Sequence, residues 1–132
     1  MAIDEATILK SYTTIVVVGL NADPSRPSHY VSDYMRAHGY RIVGVNPDEA
    51  EVFGQPCYPD LASVPGPVEF VNVFRRPQFC ADVARDAVAA GAKVIWLQSG
   101  IRSAEARQIA EEAGVDYVED RCVMALHRAF GL

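Results

Sequence analysis

TIVVVGLNADPSRPSHY, residues 14–30, opens as a nucleotide-binding strand-turn-helix unit opens, with a β-branched run that ends on Gly19. A dinucleotide fold would follow that glycine with two more, so that backbone can close on a pyrophosphate. Here Leu20, Asn21, Ala22, Asp23, two prolines, Ser25, Arg26 and Ser28 stand in the turn instead. A longer polar loop of this kind suits a pyrophosphate held at a greater distance. The spacing predicts a helix from about Ser28 that buries Tyr30, Val31, Tyr34 and Met35 and ends at Gly39, where glycine accepts a left-handed cap cheaply. Ser25 and Ser28 read as caps of that helix start, and a helix start with exposed backbone N–H groups is also what an anion site is made of.

Outward from this stretch, short β-branched runs alternate with helical patterns, the βαβ signature of a parallel sheet covered on both faces. The expected order is a leader helix over 1–12, the strand of 14–18, the helix from Ser28, and the strand YRIVGVNP stopped by Pro47. A short edge strand near 56–58, one helical turn after Asp60 and the strand VEFVNVF come next. The helix over 78–90 has Pro77 as its first residue. KVIWL is a strand, QSGIR a loop, Ser103 the cap of a helix through Ala113, VDYVE the last strand, and a final helix runs to about Phe130. The fold class is α/β: a doubly wound parallel sheet in the order 3-2-1-4-5-6 with helices on both faces, in one domain spanning 1–132.

Composition narrows the function classes. The chain has 132 residues, half of them hydrophobic, which suits a single core and leaves little room for a second module. No stretch approaches the roughly 20 apolar residues of a membrane span, and the start, MAIDEATILK, carries acids where a signal peptide is basic. A cytoplasmic protein is the expectation. Cys57, Cys80 and Cys122 are odd in number and widely spaced, which argues against a disulfide framework and a zinc site alike; the three histidines show no ligand spacing. A net charge of −5 argues against nonspecific nucleic-acid binding.

In a doubly wound sheet, ligands sit beyond the carboxyl ends of the strands, at the point where the strand order reverses. The loops there are LNADPSRPS, NPDE, FRRPQF, QSGIR and DRC, and they hold Arg26, Arg75, Arg76, Arg102 and Arg121 out of twelve basic residues. Guanidinium forks match phosphate oxygens, so a rim this basic on an acidic protein is suited to an anion. A loop arginine is more often solvated than bound, but clustering favours Arg26, Arg75 and Arg76. NAD is disfavoured: the later glycines are lost, and the strand that would end on an acid for the ribose hydroxyls ends on Asn46 and Pro47.

VVVGLNADPSRPSHYVSDYMRAHGYRIVGVNP, VEFVNVFRRPQFCADVARDAVAAGAKVIWLQSGIRSAEA and DYVEDRC together resemble the bacterial single-domain CoA-binding proteins. That family is similar to the CoA-binding N-terminal domain of the succinyl-CoA synthetase alpha subunit. The resemblance runs from about Ile15 to Arg128. It implies a Rossmann-like domain that binds coenzyme A or an acyl-CoA, with Gly19, Leu20, Asn21, Ser25, Arg26 and Ser28 in the phosphate loop. Asn46 and Pro47, with Phe74, Arg75, Arg76 and Pro77, would border the adenosine; Gln98, Ser99 and Gly100 would lie toward the pantetheine, and Cys122 near its reacting end. The synthetases phosphorylate a histidine in a second domain, for which this chain is too short, and it shows no nucleophile elbow and no Ser-His-Asp pattern. The first expectation is therefore a non-catalytic binding or sensing module, alone, as a homo-oligomer or as a subunit. An enzyme of acyl-CoA metabolism and a nicotinamide-dependent oxidoreductase are the alternatives.

Overall fold

The computed structural model describes residues 4–132. The strands are β1 (Thr14–Val18), β2 (Arg41–Val45), β3 (Glu51–Val52), β4 (Gln55–Tyr58), β5 (Phe70–Val73), β6 (Val94–Leu97) and β7 (Asp116–Val118). The helices are α1 (Glu5–Ser11), α2 (Pro27–Ala37), α3 (Pro77–Ala89), α4 (Ala104–Glu112) and α5 (Val123–Ala129), with a 3₁₀ turn at Leu61–Ser63. Seven strands make one sheet in the order β3-β4-β2-β1-β5-β6-β7, parallel except where β3 meets β4. The leader helix is described from Glu5; residues 1–3 of that expectation lie outside the described residues.

Alternation along the central strands divides the core into two layers. Val16, Val18, Val71, Val73, Ile95 and Leu97 face α3 and α4, where Val83, Ala84, Ala87, Ala106 and Ala110 meet them. Ile15, Val17, Phe70, Val94 and Trp96 face α1, α2 and α5, against Ile8, Leu9, Val31, Met35 and Val123. Both faces being covered is why these strands read as unbroken apolar runs. Since α2 and α3 lie on opposite faces and begin beyond the ends of the neighbouring strands β1 and β5, the sheet reverses its winding between those two strands.

The expected six-strand order is present as β4-β2-β1-β5-β6-β7, with one addition: β4 is not an edge strand, because β3 pairs antiparallel outside it. The β3–β4 hairpin turns on two residues, Phe53 (φ 58°) and Gly54 (φ 71°). A left-handed phenylalanine is sterically unfavourable, and its packing offsets the strain: its ring lies 4.5 Å from that of His29, and the Arg36 guanidinium stands 4.2 Å above it. Both partners belong to α2, so the hairpin is pinned to that helix. α2 starts at Pro27, as expected from about Ser28, with Arg26 as its N-cap, but its buried face is narrower than expected: Tyr30 is 47 % exposed and Tyr34 half-buried.

Candidate functional site

Beyond the carboxyl ends of β1 and β5 lies a crevice of two lobes, about 450 and 630 Å³, that share a wall of Gly19, Phe74, Arg75 and Arg76. Gly19 makes that wall possible. Its N–H donates to the Val45 carbonyl at 2.8 Å, its φ is +91°, and a Cβ at this position would run into the Phe74 carbonyl oxygen. The smaller lobe is bordered by Asn46, Pro47, Asp48, Leu61 and Phe79, and the larger by Asn21, Arg26, Ser28, Tyr30, Pro77, Gln98, Ser99, Cys122 and Met124.

The loop after β1 explains its own composition. The Asn21 N–H donates to Ser28 Oγ (3.0 Å), the Asp23 N–H to Asn21 Oδ1 (2.8 Å), the Ser25 N–H and Oγ to Asp23 Oδ1 (2.9 and 2.8 Å), and the Arg26 N–H to the Asp23 carbonyl (3.0 Å). The Ala22 N–H donates to a Glu49 carboxylate oxygen. Pro24 has no N–H to place, so every backbone donor of 21–26 has a partner. A glycine-rich loop leaves such groups free for phosphate; this loop uses its Asn, Asp and Ser side chains to hold its own shape. The Asp23 carboxyl is held below its usual range first by the Ser25 backbone hydrogen bond. The expectation that Ser25 and Ser28 cap α2 is corrected accordingly: neither caps the helix, and Ser28 is a buried clamp on Asn21.

What remains for an anion is the pair of helix starts and their arginines. α2 has Arg26 at its N-cap and Pro27 at its first position; α3 has Arg76 and Pro77 in the same places, and neither start carries a side-chain cap. Among the described residues no carboxylate lies within 4 Å of the Arg26, Arg75 or Arg76 guanidinium. Arg75 is stacked 4.6 Å above the Phe79 ring at the mouth of the smaller lobe. Arg102 differs: Asp120 binds it at 2.6 Å and Glu119 lies 3.8 Å away. Arg121 donates to the Asp120 carbonyl and receives Trp96 Nε1–H on its own carbonyl at 2.8 Å.

Behind the larger lobe, Gln98 Nε2 donates to Asn72 Oδ1 at 2.7 Å, a carboxamide pair with both residues buried, and Gln98 Oε1 has no partner among the described residues. Three expected residues do not line the crevice. Leu20 is buried in the α1/α2/α5 layer and offers only its carbonyl, which accepts from Asn46 Nδ2 at 3.0 Å. Ser25 points its hydroxyl at Asp23, and Gly100 gives its N–H to Asp120 Oδ1 at 2.7 Å. Asp120, with φ 57°, and Glu119 organise the loops after β6 and β7, a role the sequence reading did not assign to them. Asp120 titrates below its usual range, chiefly through the Gly100 hydrogen bond. The cysteines differ in kind: Cys57 and Cys80 are buried, with thiols pushed up by burial, whereas Cys122 is half-buried at the larger lobe.

A family model described as a CoA binding domain matches residues 13–128. The uncharacterized protein YneT of Bacillus subtilis is 38 % identical over 120 residues, 91 % of this chain and 89 % of that one. A hypothetical protein from Pyrococcus horikoshii superposes with a TM-score of 0.92 at 36 % identity, covering 95 % of this chain and 88 % of its own. A domain of acetyl-coenzyme A synthetase 1 from Ca. Korarchaeum cryptofilum shares the fold at TM-score 0.73 and 22 % identity, over 82 % of this chain and 26 % of the synthetase.

Proposed function

This chain belongs to the CoA binding domain family, and from that premise we propose that its two-lobed crevice binds coenzyme A or an acyl-CoA as a non-catalytic binding or sensing module. The observation that carries this reading is the set of three guanidiniums without carboxylate partners among the described residues, Arg26, Arg75 and Arg76, grouped at two helix starts that no side chain caps. Coenzyme A brings a diphosphate and a 3′-phosphate, and charge-assisted bonds to such groups are the strong ones. In this reading the diphosphate lies along the shared wall, close to Gly19 and between the starts of α2 and α3. The adenosine takes the smaller lobe beside Phe79, Asn46 and Pro47, with Arg75 or Arg76 on the 3′-phosphate. The pantetheine runs into the larger lobe past Gln98 and Ser99 toward Cys122. The Gln98–Asn72 carboxamide pair backs this lobe and holds its floor in place.

The protein would then act as the CoA-binding domain of a succinyl-CoA synthetase alpha subunit does, without that enzyme's chemistry, and would do so in the cytoplasm, where three free cysteines are compatible with a reducing medium. Calorimetric titration with CoA, dephospho-CoA, acetyl-CoA and NAD tests it. Saturable binding of CoA and acetyl-CoA, weaker binding of dephospho-CoA and no comparable binding of NAD is the expected pattern. Equal affinity for CoA and NAD overturns it, and steady turnover of a thioester would replace the binding module with an enzyme.

A further inference from the structure

Of the backbone donors in the loop 21–26, Ala22 alone is satisfied by a charged group from another part of the chain. Its N–H donates to the Glu49 carboxylate, which arrives from the turn after β2. That turn is built to deliver it: Asn46 Nδ2 ties the turn to the Leu20 carbonyl, and the Asp48 N–H (2.9 Å) and Glu49 N–H (3.3 Å) fold back onto Asn46. No arginine or lysine pairs with Glu49 among the described residues, although its sequence neighbour Asp48 lines the smaller lobe and Ala22's neighbour Asn21 the larger. A carboxylate on a backbone N–H at the edge of an arginine-rich crevice stands where an anionic ligand group would be received.

We propose that Glu49 is a resident anion that a phosphate-bearing ligand displaces from the Ala22 amide, so that filling the crevice frees the Glu49 side chain. The side chain is half-exposed and long, and its departure leaves the Asn46 bonds that fix the turn intact. Electrostatics sets the direction of the effect: Glu49 repels an incoming phosphate and competes for its donor, so neutralising it tightens binding of phosphate-bearing ligands alone. A ligand without phosphate has nothing to exchange for the carboxylate and leaves it in place. The site deepens the CoA reading and rests on it for the identity of the ligand, but not for the displacement itself.

The test uses the full chain with Glu49→Gln and Glu49→Ala, titrated with CoA, with phosphate-free pantetheine and with inorganic pyrophosphate, while the Ala22 amide is followed by NMR. Both variants are expected to bind CoA about fivefold tighter or more, within the usual range of coupling between sites, with pantetheine affinity unchanged and the wild-type Ala22 resonance shifted at CoA saturation. If Glu49 is only a staple, Glu49→Gln keeps the wild-type affinity, Glu49→Ala loses it, and the Ala22 resonance stays put; that result overturns the proposal. If CoA fails to bind any form while pyrophosphate binds and is tightened by Glu49→Gln, the CoA reading falls and the displacement stands. Pyrophosphate and CoA both indifferent to Glu49 overturn the displacement whatever the ligand.

Discussion

Arg26 and Arg76 hold the same position on two different helices: each is an N-cap, each precedes a proline at the first helical position, and neither caps its helix with its side chain. α2 and α3 lie on opposite faces of the sheet, so the crevice between β1 and β5 meets a helix start and a guanidinium from each side, neither of them ion-paired among the described residues. The proline removes a donor that the first turn leaves unpaired in any case and fixes the entry angle of the chain. Two helix dipoles and two arginines then act on one small volume.

Arg26→Ala is expected to weaken CoA binding by about tenfold or more, since a hydrogen bond to a charged group contributes about 1.5–3 kcal/mol. The side chain is exposed and makes no ion pair among the described residues, so the urea midpoint should not move. An unchanged dissociation constant measured by calorimetry removes Arg26 from the site.

Arg75 and Arg76 are expected to read the phosphate that distinguishes CoA from dephospho-CoA. The wild-type protein should prefer CoA, and the Arg75→Ala/Arg76→Ala double variant should bind both ligands alike. Retention of the preference in the double variant would assign it to other residues. Because Arg75 also covers the Phe79 ring, the single variants separate charge from stacking: Arg75→Ala should weaken any adenosine-bearing ligand, Arg76→Ala the phosphorylated ones.

The layered core and the crevice's place in it were legible because the pattern that encodes them is long. Unbroken β-branched runs specify buried parallel strands, and helix periods with glycine or proline at their ends specify the connections between them. β3 was not legible: it is two residues long, and the turn that creates it puts a phenylalanine where sequence rules expect Asn or Asp. The arginines could be placed on the rim from topology, but their partners could not. Arg102 and Arg26 both lie on rim loops, and the fold brings Asp120 to one and, among the described residues, no carboxylate to the other. Nor could the sequence show that Ser28 turns its hydroxyl to Asn21, or that a glutamate 27 positions further on would reach Ala22.

Gly19→Ala and Gly39→Ala form a matched pair. Both glycines have φ above +90°, where an L residue is strained, so both substitutions should destabilise by more than about 1 kcal/mol. A Cβ at Gly39 meets no atom of the described residues within 4 Å, while one at Gly19 meets the backbone of Phe74. Urea denaturation should therefore show the larger loss for Gly19→Ala, accompanied by weaker CoA binding because the shared wall must move. Equal losses would mean that Phe74 gives way at no cost.

His127 predicts a pH dependence of stability. It lies on α5 and is buried against α2, hydrogen-bonded to the Tyr34 hydroxyl at 2.9 Å, with the His38 ring 5.0 Å away, Tyr40 beside it and Arg128 stacked on Tyr34. Burial first, and His38 second, hold its pKa below the ordinary 6.5. The unfolded chain therefore takes up the proton first, so this contribution is fully present above about pH 6.5 and is lost as pH falls toward the folded pKa. The urea midpoint should drop between pH 7.5 and 5, and His127→Asn, which has no proton to take up, should show a smaller drop. The same drop in both proteins would place the acid sensitivity elsewhere.

Cys122 is the cysteine expected to meet the thiol of a bound CoA. It lines the larger lobe and is half-buried, whereas Cys57 and Cys80 are enclosed and burial raises their thiols, which suppresses the reactive thiolate. When the protein is incubated with CoA disulfide, the Cys122 thiolate attacks one sulfur of the ligand. A protein–CoA disulfide forms as the ligand's own disulfide breaks, and one CoA leaves as its thiolate. Intact mass should rise by one CoA, peptide mapping should place it on Cys122, and dithiothreitol should reverse it. Arg26→Ala should slow the reaction in proportion to its loss of CoA affinity, because the crevice and not the bare thiol selects the reagent. Modification spread evenly over the three cysteines, or a rate indifferent to Arg26, would make Cys122 an ordinary accessible thiol and take the pantetheine arm out of the larger lobe.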